Sequence, residues 1–233
     1  MDFKPSQFVY VVVRAQGITT EPHPYSIANG YNLDGQIKLG VKEAGDHTAS
    51  LRDLARGDEV TLYGPYGHFS DAFLRADRDC VFIGGGIGIT PFIGMWHVAL
   101  HSEERYEGGW ATEPMLMEHP ELFINWKAPR VALYYVCRYQ HQASFDADVR
   151  REAILSQFHG LRAVETRGHH YERYLSAERG RFTVEHIEAT SGDYRDKYIF
   201  LCGPSPMVTG LVQNFLAAGV SHEQIIVEDF NLL

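Results

Sequence analysis

Three short stretches hold residue types that could do chemistry. Gly84-Gly85-Gly86-Ile87-Gly88-Ile89-Thr90-Pro91 lies directly after an apolar strand pattern and directly before a helical one. Glycines in such a turn let the backbone approach a pyrophosphate, and the helix that follows offers free N–H groups and the positive end of its dipole. Pro91 suits the first helical turn, where a missing N–H costs nothing. Close strand–helix packing alone could require the same glycines, and the spacing is not G-x-G-x-x-G. Leu201-Cys202-Gly203-Pro204-Ser205-Pro206-Met207 forms a second strand-to-helix turn. Ligands of open parallel sheets bind outside the carboxyl ends of the strands, so both turns would face one crevice. Read alone, Cys202 is a buried structural thiol. The third stretch, His23-Pro24-Tyr25-Ser26, sets an aromatic face for a planar ring beside a hydroxyl that can reach a ring nitrogen. Alone it is also an ordinary strand.

The elements that must position these residues fall into two groups. In the first 70 or so residues, Gln7–Val13, Tyr25–Ala28, Gln36–Lys42 and Glu59–Tyr63 read as short strands separated by Gly, Pro, Asn and Asp. That spacing predicts a small antiparallel barrel, although four strands are few to close one. From about Cys80 the pattern alternates. Strands are expected at Cys80–Ile83, Val131–Cys137, Arg162–Glu165, Lys197–Leu201 and Gln224–Glu228. Helices are expected at Pro91–His101, Asp146–Phe158, Val184–Ala189 and Pro204–Ala218. The fold class is therefore a partial antiparallel barrel over residues 1–74 followed by a doubly wound parallel sheet over 75–233. Ser102–Pro129 is long for a connection and reads as either a lid or partner surface or a surface insertion without function.

Composition narrows the function classes. The chain has 233 residues, 21 Lys plus Arg against 30 Asp plus Glu, and a formal net charge of −9. Such a chain has no general attraction to nucleic acid or to anionic lipid. The cysteines Cys80, Cys137 and Cys202 are widely spaced and form neither a disulfide framework nor a C-x-x-C site, which fits a reducing compartment. Val81–Leu100 is the most apolar stretch, but Gly84, Gly85, Gly86, Gly88, Pro91 and Gly94 interrupt it, so no membrane span is expected. Met1-Asp2-Phe3-Lys4 leads directly into a strand-like pattern, so no signal peptide is expected there. No metal site is expected among His47, His97, His119, His159, His169, His170 and His186, and no Gly-x-Ser-x-Gly elbow is present.

Taken together and in order, these stretches resemble the ferredoxin–NADP reductase superfamily, and within it the ferric reductase and NADPH oxidase branch. His23-Pro24-Tyr25-Ser26 is similar to that branch's His-Pro-Phe/Tyr-Thr/Ser flavin motif, where most other branches have Arg at the first position. Gly45-Asp46-His47-Thr48-Ala49-Ser50-Leu51 resembles the family's Gly-x-x-Thr-x-x-Leu segment, and Gly64-Pro65-Tyr66-Gly67 resembles its barrel ending. Gly86-Ile87-Gly88-Ile89-Thr90-Pro91 and Cys202-Gly203-Pro204 resemble its pyridine-nucleotide turns, and Glu228-Asp229-Phe230 its terminal Glu-x-Phe. Phe3-Lys4-Pro5-Ser6-Gln7-Phe8 is similar to the family's Pro-Gly-Gln-Phe strand entry, with Ser6 in place of Gly. In the family two barrel strands precede this entry, which implies that the chain is the C-terminal part of a longer protein.

The resemblance implies a relay in which NAD(P)H passes hydride to FAD, which releases electrons singly to a one-electron acceptor such as haem or ferric iron. It implies that Tyr25 packs on one flavin face and Ser26 bonds near N5, with His23, Pro24, Gly45 and Thr48 along the ribityl and pyrophosphate. Phe230 would cover the other face, and Cys202 and Glu228 would line the hydride-transfer pocket. Gly86, Gly88, Thr90, Pro91, Gly203, Pro204 and Met207 would hold the nucleotide. Arg138 and Thr166-Arg167, the latter similar to the family's Ser-Arg pair and expected after a strand, would favour NADPH through its 2′-phosphate, with NADH open as a second donor. The implied partner is a haem-bearing membrane domain of the same longer protein, placing this part in the cytoplasm or on the cytoplasmic face of a membrane. Two other readings stay open: a soluble reductase feeding a ferredoxin or oxygenase, and a nucleotide-binding regulatory module without turnover.

Overall fold

A computed structural model describes residues 1–30, 36–101, 128–151 and 168–229. β1 (Phe8–Arg14) is the centre of a three-stranded antiparallel sheet, flanked by β2 (His23–Ser26) and β3 (Glu59–Tyr66). Its β-branched residues alternate in burial, with Val9, Val11 and Val13 facing a small core that includes Phe3, Ile18 and Ile27. The register sets Tyr25 opposite Val9 and His23 opposite Val11, so both side chains share that inward face.

The strand expected at Gln36–Lys42 is reduced to one bridge, Ile27 to Leu39. The Asn29 side chain takes over part of the ladder. Its oxygen accepts from the Lys38 N–H at 2.9 Å and its nitrogen donates to the Gln36 carbonyl at 3.3 Å. A side chain in place of backbone stops the ladder from propagating. Two short helices, α1 (Asp46–Ser50) and α2 (Asp71–Leu74), flank β3 in sequence.

The second sheet is parallel and has five strands in the order β6-β5-β4-β7-β8. These are β4 (Cys80–Gly85), β5 (Val131–Cys137), β6 (His170–Leu175), β7 (Tyr198–Cys202) and β8 (Ile225–Glu228). β4 and β5 are buried throughout, as strands covered on both faces must be. One face packs on α3 (Thr90–His101), with Phe82, Leu133 and Phe200 against Phe92 and Trp96. The other lies under α5 (Val184–Ser191) and α6 (Ser205–Ala217), with Ile83, Tyr134 and Leu201 among its residues. The helical turn α4 (Ser176–Arg179) follows β6. Phe73 and Leu74 of α2 belong to the α3-side core, so the stretch just before the expected boundary at 74 already packs with the parallel sheet.

The strand on the outer side of β5 is His170–Leu175, a stretch where the sequence pattern predicts no strand. Its pattern, His-Tyr-Glu-Arg-Tyr-Leu, is polar because this edge strand exchanges charges with its cover. Glu172 bonds Arg179 and His186, and Arg173 bonds Asp146 at 2.8 Å. Arg162–Glu165 and most of Ser102–Pro129 lie outside the described residues, as does the Asp146–Phe158 helix beyond residue 151.

Candidate functional site: two interlocked turns beside a histidine-bearing strand

β4 lies between β5 and β7, so the chain leaves β4 and β7 in opposite directions and their carboxyl ends open a crevice. Both glycine-bearing turns lie at that point. They are packed into one another. A Cβ on Gly88 would lie 2.5 Å from the Cys202 carbonyl oxygen and 2.7 Å from Gly203 Cα. Gly85 faces Pro204 and the Met207 methyl just as tightly. Packing therefore accounts for Gly85 and Gly88. Gly86 differs, with φ +55° and nothing within 4 Å of where its Cβ would be. Its N–H bonds the Cys137 sulfur, and the open space where a side chain would stand allows a nucleotide phosphate close approach at this position.

Thr90, almost wholly buried, donates its hydroxyl to the Ile87 carbonyl at 3.0 Å and so ties the turn to α3. Pro91 occupies the first turn of that helix. Cys202 is fully buried in the α3-side core, and burial pushes its thiol well above the ordinary value, with Glu228 and Asp229 adding to the effect. It is a packed neutral thiol with no nucleophilic character. Glu228 stands opposite Cys202 in the β7–β8 register, and burial followed by the charge of Asp229 pushes its carboxyl up to about 7. A cavity of about 380 Å³ opens beside it, between β8 and the first turns of α6, lined by Gly203, Ser205, Val208, Val227 and Glu228.

The antiparallel sheet meets this region through the residues just after Ser26. Ala28 is part of the core beneath α3, and the Asn29 carbonyl approaches Gly94 of that helix. Gly30 packs under the His97 ring. Gly40, next to the Leu39 that bridges Ile27, packs against Thr90 Cγ2 and the Phe145 ring. The His-Pro-Tyr-Ser strand thus runs directly into the contact that carries the glycine turn.

On that strand the His23 Nε2 and the Tyr25 hydroxyl are buried without a partner, and Ser26 is buried. Two orphaned polar atoms on one face are what a strand built to receive a polar ligand presents, and they fit a flavin dinucleotide. The Tyr25 ring packs partly on the small core, and burial raises its hydroxyl above the ordinary value. Thr48 accepts from the Ala44 N–H at 2.8 Å and donates to the Gly45 carbonyl at 3.0 Å, pinning the start of α1. His47, which sequence reasoning passed over, stacks on His23 with ring centres 3.6 Å apart. The two lie 24 positions apart, so only the tertiary structure reveals the pair.

Arg138 lies exposed after β5, its guanidinium 5.3 Å over the Tyr139 ring. Thr166, Arg167 and Phe230 lie outside the described residues. Because β6 starts at His170, Thr166 and Arg167 precede the strand that pairs with β5. His97 and His101 stand one helical turn apart on α3, but among the described residues no group of three metal-ligating side chains comes together. No helix among them is long and apolar enough to cross a membrane.

An antiparallel sheet followed by a doubly wound sheet with glycine turns at its switch point defines a two-part, nucleotide-binding reductase fold. Residues 82–213 match the oxidoreductase NAD-binding domain family, and the chain belongs to that family within the ferredoxin reductase-like FAD/NAD-binding superfamily. The glycine betaine monooxygenase reductase subunit of Pseudomonas aeruginosa is 27% identical over 214 residues, covering 90% of this chain and 51% of that protein. Human dual oxidase 1 is 32% identical over 100 residues, 39% of this chain and 6% of that protein, consistent with the ferric reductase and NADPH oxidase branch. The flavohem-like FAD/NAD-binding domain of the Vibrio cholerae nitric oxide dioxygenase superposes with a TM-score of 0.69 at 20% identity, over 99% of this chain and 86% of that one. The chain thus spans about half the length of the glycine betaine monooxygenase reductase subunit.

Proposed function

We propose that this chain carries electrons from NAD(P)H through FAD to a one-electron acceptor. The observation that carries the proposal is the contact of the His-Pro-Tyr-Ser strand with the paired glycine turns through Ala28, Gly40 and Thr90. Bound FAD supplies the step from a two-electron donor to single electrons. The chain's residues orient and shield. Tyr25 and Ser26 receive the flavin ring, with Phe230 on its far side, and His23, Gly45 and Thr48 lie toward its phosphates. Gly86, with Gly88, Thr90 and Pro91 fixing its turn, receives the nucleotide phosphates. Gly203, Pro204 and Met207 back that turn, and Cys202 closes the floor without offering a charge. Glu228, poised to hold a proton near neutrality, is the polar group at the hydride-transfer end. Arg138 and Arg167 are the cations assigned to a 2′-phosphate, and residues 1–74 and 75–233 are the flavin and nucleotide parts.

The acceptor we assign is a haem-bearing membrane domain of the same longer protein, on whose cytoplasmic face this part would stand. The likeness to dual oxidase 1 supports it. A reductase that feeds an oxygenase is the second reading, and the likeness to the glycine betaine monooxygenase reductase subunit favours it.

The test is ferricyanide reduction by the purified chain with FAD added, using NADPH and NADH in turn. Turnover supports the relay, whereas nucleotide binding without turnover makes the chain a regulatory module. Arg167→Ala should lower the preference for NADPH over NADH by about tenfold, the worth of one charge-assisted phosphate contact. An unchanged ratio removes Arg167 from donor choice.

A further inference from the structure

Gly40, where the two sheets meet, packs against Thr90 and the Phe145 ring, so the seam depends on where that ring stands. Phe145 lies in the connection after β5, one residue before a helical turn that begins at Asp146. Its carbonyl accepts from the Val149 N–H at 3.0 Å, so the turn carries the ring. Whatever fixes the turn therefore fixes the ring.

Two elements hold the turn. From α3, the Trp96 indole N–H donates to the Val149 carbonyl at 3.3 Å. From β6, the largely buried Asp146 carboxylate is gripped at both oxygens. One accepts from the Tyr171 hydroxyl at 2.6 Å and the other from the Arg173 guanidinium at 2.8 Å. Tyr171 and Arg173 are two positions apart on the strand and so share one face of the sheet. A short bond from a hydroxyl to a charged carboxylate is among the strong ones. Arg150 also donates to Asp146, at 3.0 Å, but it rides on the same turn and cannot anchor that turn to the sheet. An unbroken line of contacts thus runs from β6 through Asp146, Phe145 and Gly40 to Leu39, which bridges Ile27 beside Ser26.

We propose that Tyr171 and Asp146 are positioning residues of the relay. Their bond ties Phe145 to β6 and so sets how the flavin-side strand stands against the glycine turn. This role rests on the reading of the chain as a two-cofactor relay, and neither residue is assigned to a ligand there.

Tyr171→Phe keeps the ring in the core and removes only the hydroxyl. The first measurement is amide hydrogen exchange on the whole chain without added cofactor. The Ala28 N–H bonds the Lys38 carbonyl at 2.8 Å beside the seam, and its exchange should quicken about tenfold in Tyr171→Phe and stay level in Arg150→Gln. The second is single-turnover flavin reduction with FAD bound and NADPH saturating. Tyr171→Phe should slow it about threefold to tenfold, while FAD and NADP⁺ affinities change by less than about twofold. In a Phe145→Leu background, where the ring contact is already loosened, Tyr171→Phe should add no further slowing. Unchanged Ala28 exchange in Tyr171→Phe, equal effects of Arg150→Gln, or the same slowing with and without the Phe145 ring overturns the positioning role and leaves the relay standing. No flavin reduction by the unaltered chain overturns the relay and this role together.

Discussion

Glu228 is the ionisable residue whose environment most directly meets the proposed chemistry. Burial, with Asp229 next to it, lifts its carboxyl from 4.5 to about 7. An acid with a raised folded-state pKa binds its proton more tightly in the native protein, so its ionisation opposes folding. Native stability is least affected below about pH 4.5 and is lost progressively up to about pH 7. Glu228→Gln should therefore stabilise the protein at pH 8 and leave it unchanged near pH 4. A gain of about 1 kcal/mol is expected, discounted because the carboxyl is partly solvated. Thermal melts at the two pH values check it, and equal gains at both would remove the ionisation from the account. Ser6 makes a second prediction at this scale. It holds φ +70°, and its hydroxyl is buried without a partner. A left-handed side chain costs about 1–2 kcal/mol and an unpaired buried hydroxyl about 1–3, against about 0.5–1 for the freedom of glycine. Ser6→Gly should raise stability by about 1–2 kcal/mol in urea unfolding. An unchanged midpoint would mean the hydroxyl has a partner in solution.

Within the turn after β4, neighbouring glycines do different work, which mutation can separate. Gly88→Ala drives a methyl into the Cys202 carbonyl across the two turns, where backbone cannot step aside. Overpacking of that kind costs about 1–3 kcal/mol, so the melting temperature should fall. Gly86→Ala meets open space and pays only the left-handed conformation, about 1–2 kcal/mol, yet its methyl fills the open side assigned to phosphate. Calorimetry should then show nucleotide affinity falling about tenfold or more in Gly86→Ala. If Gly86→Ala binds nucleotide normally, the turn is a packing device only. The two functions could not be told apart in the sequence, where five glycines between Gly84 and Gly94 look alike. What was legible there was the alternation that builds the parallel sheet: β4, β5 and β7 are apolar runs because both faces are covered. β6 was hidden because an edge strand carrying Glu172 and Arg173 reads as polar loop. The strand expected at Gln36–Lys42 has the right residues, but its ladder depends on Asn29, far enough away that no local pattern reports it.

At the scale of the whole molecule, a relay requires that two sites made by different sheets hold their ligands in contact. Reacting atoms must approach to about 3–3.5 Å, and a displacement near 1 Å can cost about a hundredfold in rate. The rigid link between the sheets is the seam where Gly40 meets Thr90 and Phe145, and where Gly94 meets Asn29. Thr90 ties that seam to the glycine turn through its bond to Ile87, and Leu39 ties it to Ile27, one residue past Ser26. A side chain at Gly40 must push Thr90 Cγ2, only 2.4 Å from where its Cβ would stand, and so shift one sheet against the other. Gly40 is in neither set of residues assigned to a ligand, and it meets Thr90 through Cγ2 rather than through the hydroxyl that anchors the glycine turn. Gly40→Val should therefore lower the single-turnover rate of flavin reduction by about tenfold to a hundredfold, while separate titrations of FAD and of NADP⁺ change by less than about threefold. Equal losses in binding and in rate would show that the substitution damages a site itself. An unchanged rate would show that some other contact sets the distance between the two cofactors.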